Sequence, residues 1–154
     1  MKNKFEIFLD TDILKSNLIP GKNKNFVPVC LEKFECFTSV INAAEIFESC
    51  KTAAGTEKAK KSFAGINILG IPFRYSVKIS EILKKVKRRK LRISLRDALI
   101  MSMCIETKLP LLAENENKYS KYRGILSLKL INKDLILENN SAEEIFRKAK
   151  IFKK

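Results

Sequence analysis

Histidine is absent from the 154 residues of this sequence, and its absence excludes several catalytic designs. Ser-His-Asp hydrolysis, Cys-His chemistry and a histidine general base all require an imidazole within the chain. The four cysteines form no C-x-x-C pair, so a zinc site is not expected either. A hydrolase made of this chain must therefore use carboxylates, a metal ion, lysine or hydroxyl groups.

Long apolar runs are also absent, because no stretch approaches the roughly 20 residues of a membrane-spanning helix. The first apolar segment is short and meets Asp10, so we do not interpret it as a signal peptide. We therefore expect a cytoplasmic protein without a membrane partner, and we expect its cysteines to be reduced. The hydrophobic content of 45% favours one globular domain with a real core.

Acidic residues are few, since 17 stand against 31 lysines and arginines and leave a net charge of +14. Such a charge favours a polyanionic partner, and nucleic acid is the commonest one. An acidic partner protein, or simply a solvated lysine-rich surface, would also account for it.

Strand and helix patterns alternate along the chain. Strands are predicted at residues 5–9, 36–40, 66–73 (with a turn), 110–113 and 125–131, and helices at 13–18, 27–34, 41–52, 54–63, 76–90 and 95–109, with a loop at 19–25. This alternation predicts an α/β domain with a mostly parallel central sheet. Sites in such sheets form beyond the carboxyl ends of the strands.

Several acids have a purely structural explanation when each is considered alone. Asp10 and Asp12 follow the first predicted strand, where either could be the N-cap of the next helix. Asp97 matches a capping box with Ser94, and Glu45 could be an ordinary helical acid beside an apolar stripe.

The combination of acids suggests more. Asp10, Glu45, Asp97 and Asn115 all lie at strand ends or near helix starts, although Asn115 alone could be a turn residue. In a parallel α/β sheet these positions meet at one edge, so we expect the four side chains to converge. Clustered carboxylates repel one another unless a cation joins them, and oxygen ligands of this kind suit Mg²⁺ or Mn²⁺.

The order of these motifs resembles the PIN domains, and within them the VapC-type toxins of bacterial toxin–antitoxin pairs. The resemblance covers the chain from about Phe5 to Ile131, and it is carried by "FLDTDIL", "TSVINAAEIFES", "RDALIMSMCIETKLPLLAENENKY" and "GILSLKLI". It implies a PIN-like three-layer α/β/α nuclease domain over residues 1–131. It also implies a metal-dependent endoribonuclease that acts on RNA, forms a homodimer and is silenced by a cognate antitoxin.

The same resemblance assigns roles to the four site residues. Asp10, Glu45 and Asp97 would hold Mg²⁺ (or Mn²⁺), and Asn115 would support them as the fourth catalytic position. Three departures from the family pattern leave the number of metal ions open: Asp12 stands where Asn is frequent, Ala113 where Thr is frequent, and Asn115 at the fourth acidic position.

Two other functions remain open at this stage. The D-T-D stretch also resembles the D-x-D motif of haloacid-dehalogenase-type phosphatases, in which the first Asp attacks phosphate, but that role leaves Glu45 and Asp97 unused. A PIN-like module that binds RNA or a protein without cutting is the non-enzymatic alternative.

Residues 132–154 extend beyond the resemblance. The segment "SAEEIFRKAKIF" begins with a capping box at Ser141 and Glu144, and its apolar face comprises Ala142, Ile145, Phe146, Ala149 and Phe152. We expect this helix to pack on its own domain, or otherwise to serve a dimer or antitoxin interface.

Overall fold

A five-stranded parallel sheet forms the centre of the computed structural model, which describes residues 4–19, 26–138 and 140–151. Every strand pairing in it is parallel, which confirms the predicted α/β class. The predicted loop at 19–25, apart from residue 19, and Phe152 lie outside the described residues.

The described elements alternate as the sequence predicts. The strands are β1 (Phe5–Leu9), β2 (Phe34–Ser39), β3 (Ile66–Leu69), β4 (Leu111–Leu112) and β5 (Leu130–Ile131). The helices are α1 (Thr11–Ser16), α2 (Phe26–Lys33), α3 (Val40–Glu48), α4 (Ala53–Ser62), α5 (Tyr75–Arg88), α6 (Leu95–Thr107), α7 (Asn117–Ser120), α8 (Lys133–Leu137) and α9 (Ala142–Lys148). Within the described ranges, none of these helices has the length and apolarity to cross a membrane.

The strand order is β3-β2-β1-β4-β5, so the chain builds the sheet outward from β1 in both directions. Parallel neighbours require crossover connections, which the helices supply. In a sheet of this order the direction of winding reverses beside β1, and a crevice opens beyond the carboxyl ends of β1 and β4. Asp10 follows β1 directly and therefore lies at that crevice.

The two faces of the sheet carry separate hydrophobic cores, as the alternation along β1 requires. Ile7 and Leu9 pack into a core shared with α1 to α4, α8 and α9. Phe8, between them, packs into the other core with residues of α5 and α6 such as Val86 and Met101. Helices on both faces of one sheet make the three-layer α/β/α arrangement that was predicted.

The last predicted strand is shorter than the sequence suggests. Only Leu130–Ile131 pairs with β4, although a strand was expected over residues 125–131. The amides of Ile125 and Leu126 instead donate to the carbonyl of Tyr122 at 3.0 and 2.8 Å. These turn bonds satisfy the backbone locally, so the apolar side chains reach the core without a ladder.

Helix α9 packs against the outer part of the same domain. Ile145 and Phe146 are buried in the core that contains Phe34, and the partly buried Phe5 packs against this core. The ring centroids of Phe146 and Phe5 lie 4.7 Å apart, and those of Phe146 and Phe34 lie 6.1 Å apart. The predicted capping box of Ser141 and Glu144 begins this helix.

Candidate functional site

Asp10 is the centre of the crevice and is only 1% exposed. Its Oδ1 accepts hydrogen bonds from the Thr11 amide at 2.8 Å and from Asn42 Nδ2 at 3.0 Å. Its Oδ2 accepts a hydrogen bond from the Tyr119 hydroxyl at 2.6 Å. Asp10 is therefore the N-cap of α1 and at the same time a fixed, buried member of a polar cluster.

Glu45 and Asp97 join Asp10 around a single side chain, the guanidinium of Arg96. Arg96 Nη2 donates to Asp10 Oδ1 at 2.6 Å and to Glu45 Oε2 at 2.8 Å. Nε of the same arginine donates to Glu45 Oε1 at 2.8 Å, and Nη1 donates to Asp97 Oδ1 at 2.9 Å. Three carboxylates from β1–α1, α3 and α6 thus converge on one cationic position.

Further groups hold this arrangement in place. Lys118 Nζ lies 2.8 Å from Asp97 Oδ1 and 4.0 Å from Asp10 Oδ2. The hydroxyl of Tyr119, which is fully buried, accepts a hydrogen bond from Arg96 Nη1 at 2.9 Å while it donates to Asp10. Arg96 comes from the start of α6, and Lys118 and Tyr119 come from α7. Both ends of the chain segment from α6 to α7 therefore contribute to the site.

Asn42 and Thr11 connect the carboxylates of Asp10 and Glu45 through hydrogen bonds. Asn42 is buried in the first turn of α3, where it completes a capping box with Ser39. Its Nδ2 donates to Asp10 and, at 2.9 Å, to the Thr11 hydroxyl, which in turn donates to Glu45. The helix cap therefore orients two of the three acids.

The electrostatics of the cluster favour its ionised form. Burial alone would raise the pKa of Glu45, but hydrogen bonds from Arg96 and Thr11 outweigh it and leave that pKa below its usual value. Burial alone would also raise the pKa of Asp97, but hydrogen bonds from Lys118 and Arg96 outweigh burial and lower that pKa below its usual value. Despite its burial, hydrogen bonds to Glu45 and Asp10 raise the pKa of Arg96. At neutral pH the guanidinium therefore faces ionised Glu45 and Asp97.

The side chain of Asn115 does not join the three carboxylates. It is exposed and lines a neighbouring cleft together with Ala113, Glu114 and Lys133. Only its main-chain amide approaches the site, donating to Asp12 Oδ2 at 3.3 Å. The catalytic role assigned to Asn115 stays a prediction.

Asp12 links the connection between β1 and α1 to the connection between β4 and α7. Its Oδ1 accepts from the Ile13 amide at 2.7 Å, and its Oδ2 accepts from Asn115. Burial, and then the charge of Asp10, raise the pKa of Asp12 above its ordinary value. These contacts tie together the two chain segments that border the crevice, which is a structural role for this acid.

An open cleft of about 490 Å³ leads from the surface to the cluster. Its lining residues are polar or charged, namely Asp10, Thr11, Asp12, Lys15, Glu45, Glu48, Ser94, Arg96, Asp97 and Lys118. The donor set of Asp10, Glu45 and Asp97 suits a hard cation in its chemistry, because carboxylate oxygens are the ligands that such ions prefer. In the described part of the chain, however, no three histidine, acidic or thiol side chains are arranged to hold a metal ion directly. Oxygens of all three acids accept hydrogen bonds from Arg96.

Sequence reasoning found the three acids but missed Arg96, Lys118 and the hydroxyl of Tyr119. One signal for Arg96 was available, because a cation in the first turn of a helix opposes the helix dipole. An arginine at that position needs nearby carboxylates to stabilise it. Nothing local indicated that Lys118 and Tyr119 point into the crevice.

Replacing Tyr119 by Phe is expected to lower the free energy of unfolding by about 1.5–3 kcal/mol, because the buried Asp10 carboxylate loses a donor. Tyr122→Phe is the matched control, since Tyr122 is 3% exposed and donates to a neutral carbonyl, that of Arg92, at 2.6 Å. Its expected cost is about 0.5–1.5 kcal/mol. Urea denaturation of both variants measures the difference, and equal costs would contradict a charged partner for Tyr119.

Comparison with known proteins adds a family and a set of similar folds. The family model described as PIN domain matches residues 7–125. No curated protein gives a significant match.

Several solved structures share the fold. VapBC2 from Rickettsia felis, bound to a DNA fragment from its promoter, has a TM-score of 0.68 and 20% identity over 82% of this chain and 97% of that one. VapBC-1 from nontypeable Haemophilus influenzae has a TM-score of 0.69 and 14% identity over 84% and 99%. Mycobacterium tuberculosis VapC20, described as a sarcin-ricin loop cleaving toxin, has a TM-score of 0.57 and 14% identity over 79% and 98%. At these identities the likeness concerns the fold.

Proposed function

The chain belongs to the PIN-domain family, and on that premise we propose that it is a divalent-metal-dependent endoribonuclease, the toxin of a toxin–antitoxin pair. The observation that carries the proposal is the convergence of Asp10, Glu45 and Asp97 on one cationic position at the switch point of the sheet. Three ionisable acids repel one another unless a cation lies among them, so a cluster of this kind at the base of an open cleft is suited to bind one.

In this proposal Asp10, Glu45 and Asp97 hold Mg²⁺ or Mn²⁺. When bound, the metal supplies Lewis-acid activation of water and neutralises charge that develops on the phosphate. The chain's own groups fix the ligands beforehand, since Tyr119 and Asn42 restrain both oxygens of Asp10. Such restraint lowers the cost of reorganising the site during reaction.

The cleft also offers positive charge for a phosphodiester. Lys15 and Lys118 line it, so a phosphate that approaches the carboxylates also meets cationic side chains. RNA as the substrate class agrees with the net charge of +14 and with the exposed basic end of α5, which carries Lys84, Lys85, Lys87 and Arg88. Phosphate contacts of this kind give affinity without sequence selectivity.

The proposed partners are a cognate antitoxin and a second copy of the chain, in a cytoplasmic setting. Structures of toxin–antitoxin complexes from Rickettsia felis and Haemophilus influenzae share the fold, which supports an antitoxin partner.

Incubation of the purified protein with a mixed-sequence RNA tests the proposal. We expect internal cleavage with Mg²⁺ or Mn²⁺ and no cleavage when EDTA replaces the metal, because the carboxylates alone supply no electrophile. Cleavage that continues undiminished in EDTA would contradict metal dependence. The absence of cleavage with either metal and several RNA pools would contradict the nuclease.

One observation favours the second candidate, a PIN-like module that binds RNA or protein without cutting. Arg96 already satisfies the three carboxylates, so the cluster is stable as a purely structural network. RNA binding that is unchanged by metal, in a protein that never cleaves, would support this candidate. The matching family and the solved structures named above give the phosphatase alternative no support.

A further inference from the structure

Arg96 makes more hydrogen bonds than an ordinary surface ion pair does. All three of its guanidinium nitrogens donate to carboxylates, and further hydrogen bonds reach Thr11 at 2.8 Å and Tyr119 at 2.9 Å. A guanidinium has five N–H donors, so these contacts use its full capacity. The side chain lies inside the acid cluster as its counter-ion.

A divalent cation and this guanidinium compete for the same carboxylates. Mg²⁺ binds carboxylate oxygens at about 2.0–2.1 Å, and a guanidinium held against the same carboxylates would be repelled by the like charge of the metal. Arg96 contacts one oxygen of Asp10, one of Asp97 and both of Glu45. Because Arg96 engages both oxygens of Glu45, direct binding of a metal by all three acids favours withdrawal of its guanidinium.

The position of Arg96 allows it to leave without a change of fold. It belongs to the first turn of α6, its side chain is 22% exposed, and it lines the open cleft. Rotation about its side-chain bonds would carry the guanidinium into the cleft while the backbone of α6 stays in place. In the cleft the guanidinium lies farther from the N-terminus of α6, whose positive dipole end opposes a cation held close to it.

We infer that Arg96 and a divalent cation are alternative occupants of the Asp10–Glu45–Asp97 cluster, and that Arg96 sets how tightly the metal binds. The inference rests on the proposed function, since it concerns the same metal site. In the metal-free protein Arg96, together with Lys118, offsets part of the charge of the three acids and keeps the cluster assembled. The metal binds only to the fraction of molecules in which Arg96 is withdrawn, which weakens its apparent affinity by that fraction.

Calorimetric titration with Mn²⁺ tests the inference without an activity assay. Arg96→Gln removes the competing charge and is expected to bind Mn²⁺ about 10–100-fold more tightly than the unaltered protein, the range for a binding-competent fraction of about 1–10%. Arg92→Gln is the matched control, because Arg92 is exposed, lies four residues away and undergoes the same loss of charge. Its affinity for Mn²⁺ is expected to match the unaltered protein.

A second measurement separates metal affinity from folding. In EDTA, Arg96→Gln is expected to unfold at a lower temperature than the unaltered protein, because its three acids lack their counter-ion. Mn²⁺ should restore the lost stability in Arg96→Gln and raise that of the unaltered protein less. If Arg96→Gln does not fold even with Mn²⁺, Arg96→Lys replaces it, since a single ammonium keeps the charge but makes fewer bonds, and tighter Mn²⁺ binding is again expected.

Distinct outcomes separate the two claims. Equal Mn²⁺ affinity in the unaltered protein and the Arg96 variants, with binding lost in Asp10→Asn, would overturn the competition and leave the proposed metal site intact. If no variant binds Mn²⁺ and the unaltered protein does not either, both the competition and the metal-dependent function are wrong.

Discussion

Asp10→Asn is expected to reduce RNA cleavage by about 10²-fold or more, the scale typical of losing one essential polar group from a reaction centre. The substitution keeps the shape of the side chain but removes the charge that faces Arg96 at 2.6 Å. It also places an amide against the Tyr119 hydroxyl, which in the unaltered protein donates to the Asp10 carboxylate. Single-turnover cleavage of a labelled RNA, in saturating Mg²⁺, measures the effect.

Asp97→Asn should have an effect of similar size, because Asp97 approaches the same cation from α6. Glu106→Gln is the control for this helix, since Glu106 is exposed at the opposite end of α6 and pairs with Lys78 at 3.2 Å. Its cleavage rate should stay within about twofold of the unaltered protein, as expected for a surface change. Cleavage by Asp10→Asn or Asp97→Asn at the unaltered rate would show that the acid cluster is not the reaction centre.

Phe146→Ala is expected to lower the free energy of unfolding by about 3–5 kcal/mol, a large part of a typical domain's total stability. Phe146 is 7% exposed, and its ring lies against those of Phe5 and Phe34. Removing it leaves a cavity between α9 and the sheet, so the cost includes lost packing as well as lost burial. Equilibrium denaturation in urea measures it.

Arg147→Ala is the control, because Arg147 lies beside Phe146 on the exposed side of α9. Its effect should stay within about 0.5 kcal/mol. A cost below about 1 kcal/mol for Phe146→Ala would instead indicate that α9 is dispensable to the core. That result would favour the alternative expectation for residues 132–154, in which the apolar face of the helix serves a dimer or antitoxin interface.

Much of the fold could be predicted because its signals are local. The run from Phe5 to Leu9 predicts β1, and the caps at Ser94 and Ser141 predict the starts of α6 and α9. A cap or a hydrophobic period depends on residues within a few positions of one another, so one sequence contains it in full. The shortened β5 could not be predicted, because an apolar run does not show that Tyr122 accepts its first amides.

The meeting of Asp10, Glu45 and Asp97 follows from the sequence by way of topology. Alternating strands and helices imply a parallel sheet, and a parallel sheet brings strand ends and helix starts to one edge. The sequence by itself thus determined the fold class, the positions of the main elements and the three acids of the candidate site. It also determined what chemistry is excluded, since no histidine exists.

Only the tertiary structure decided what those acids contact. Arg96 is separated from Glu45 by 51 residues and from Asp10 by 86. Its place in the first turn of α6 indicates that it needs nearby carboxylates, but no local pattern identifies which ones. The tertiary structure likewise directs Tyr119 into the crevice and Asn115 out of it, although both follow the same strand. Side-chain direction at a turn, and contact across distant segments, depend on how packed elements are oriented, which is a property of the whole fold.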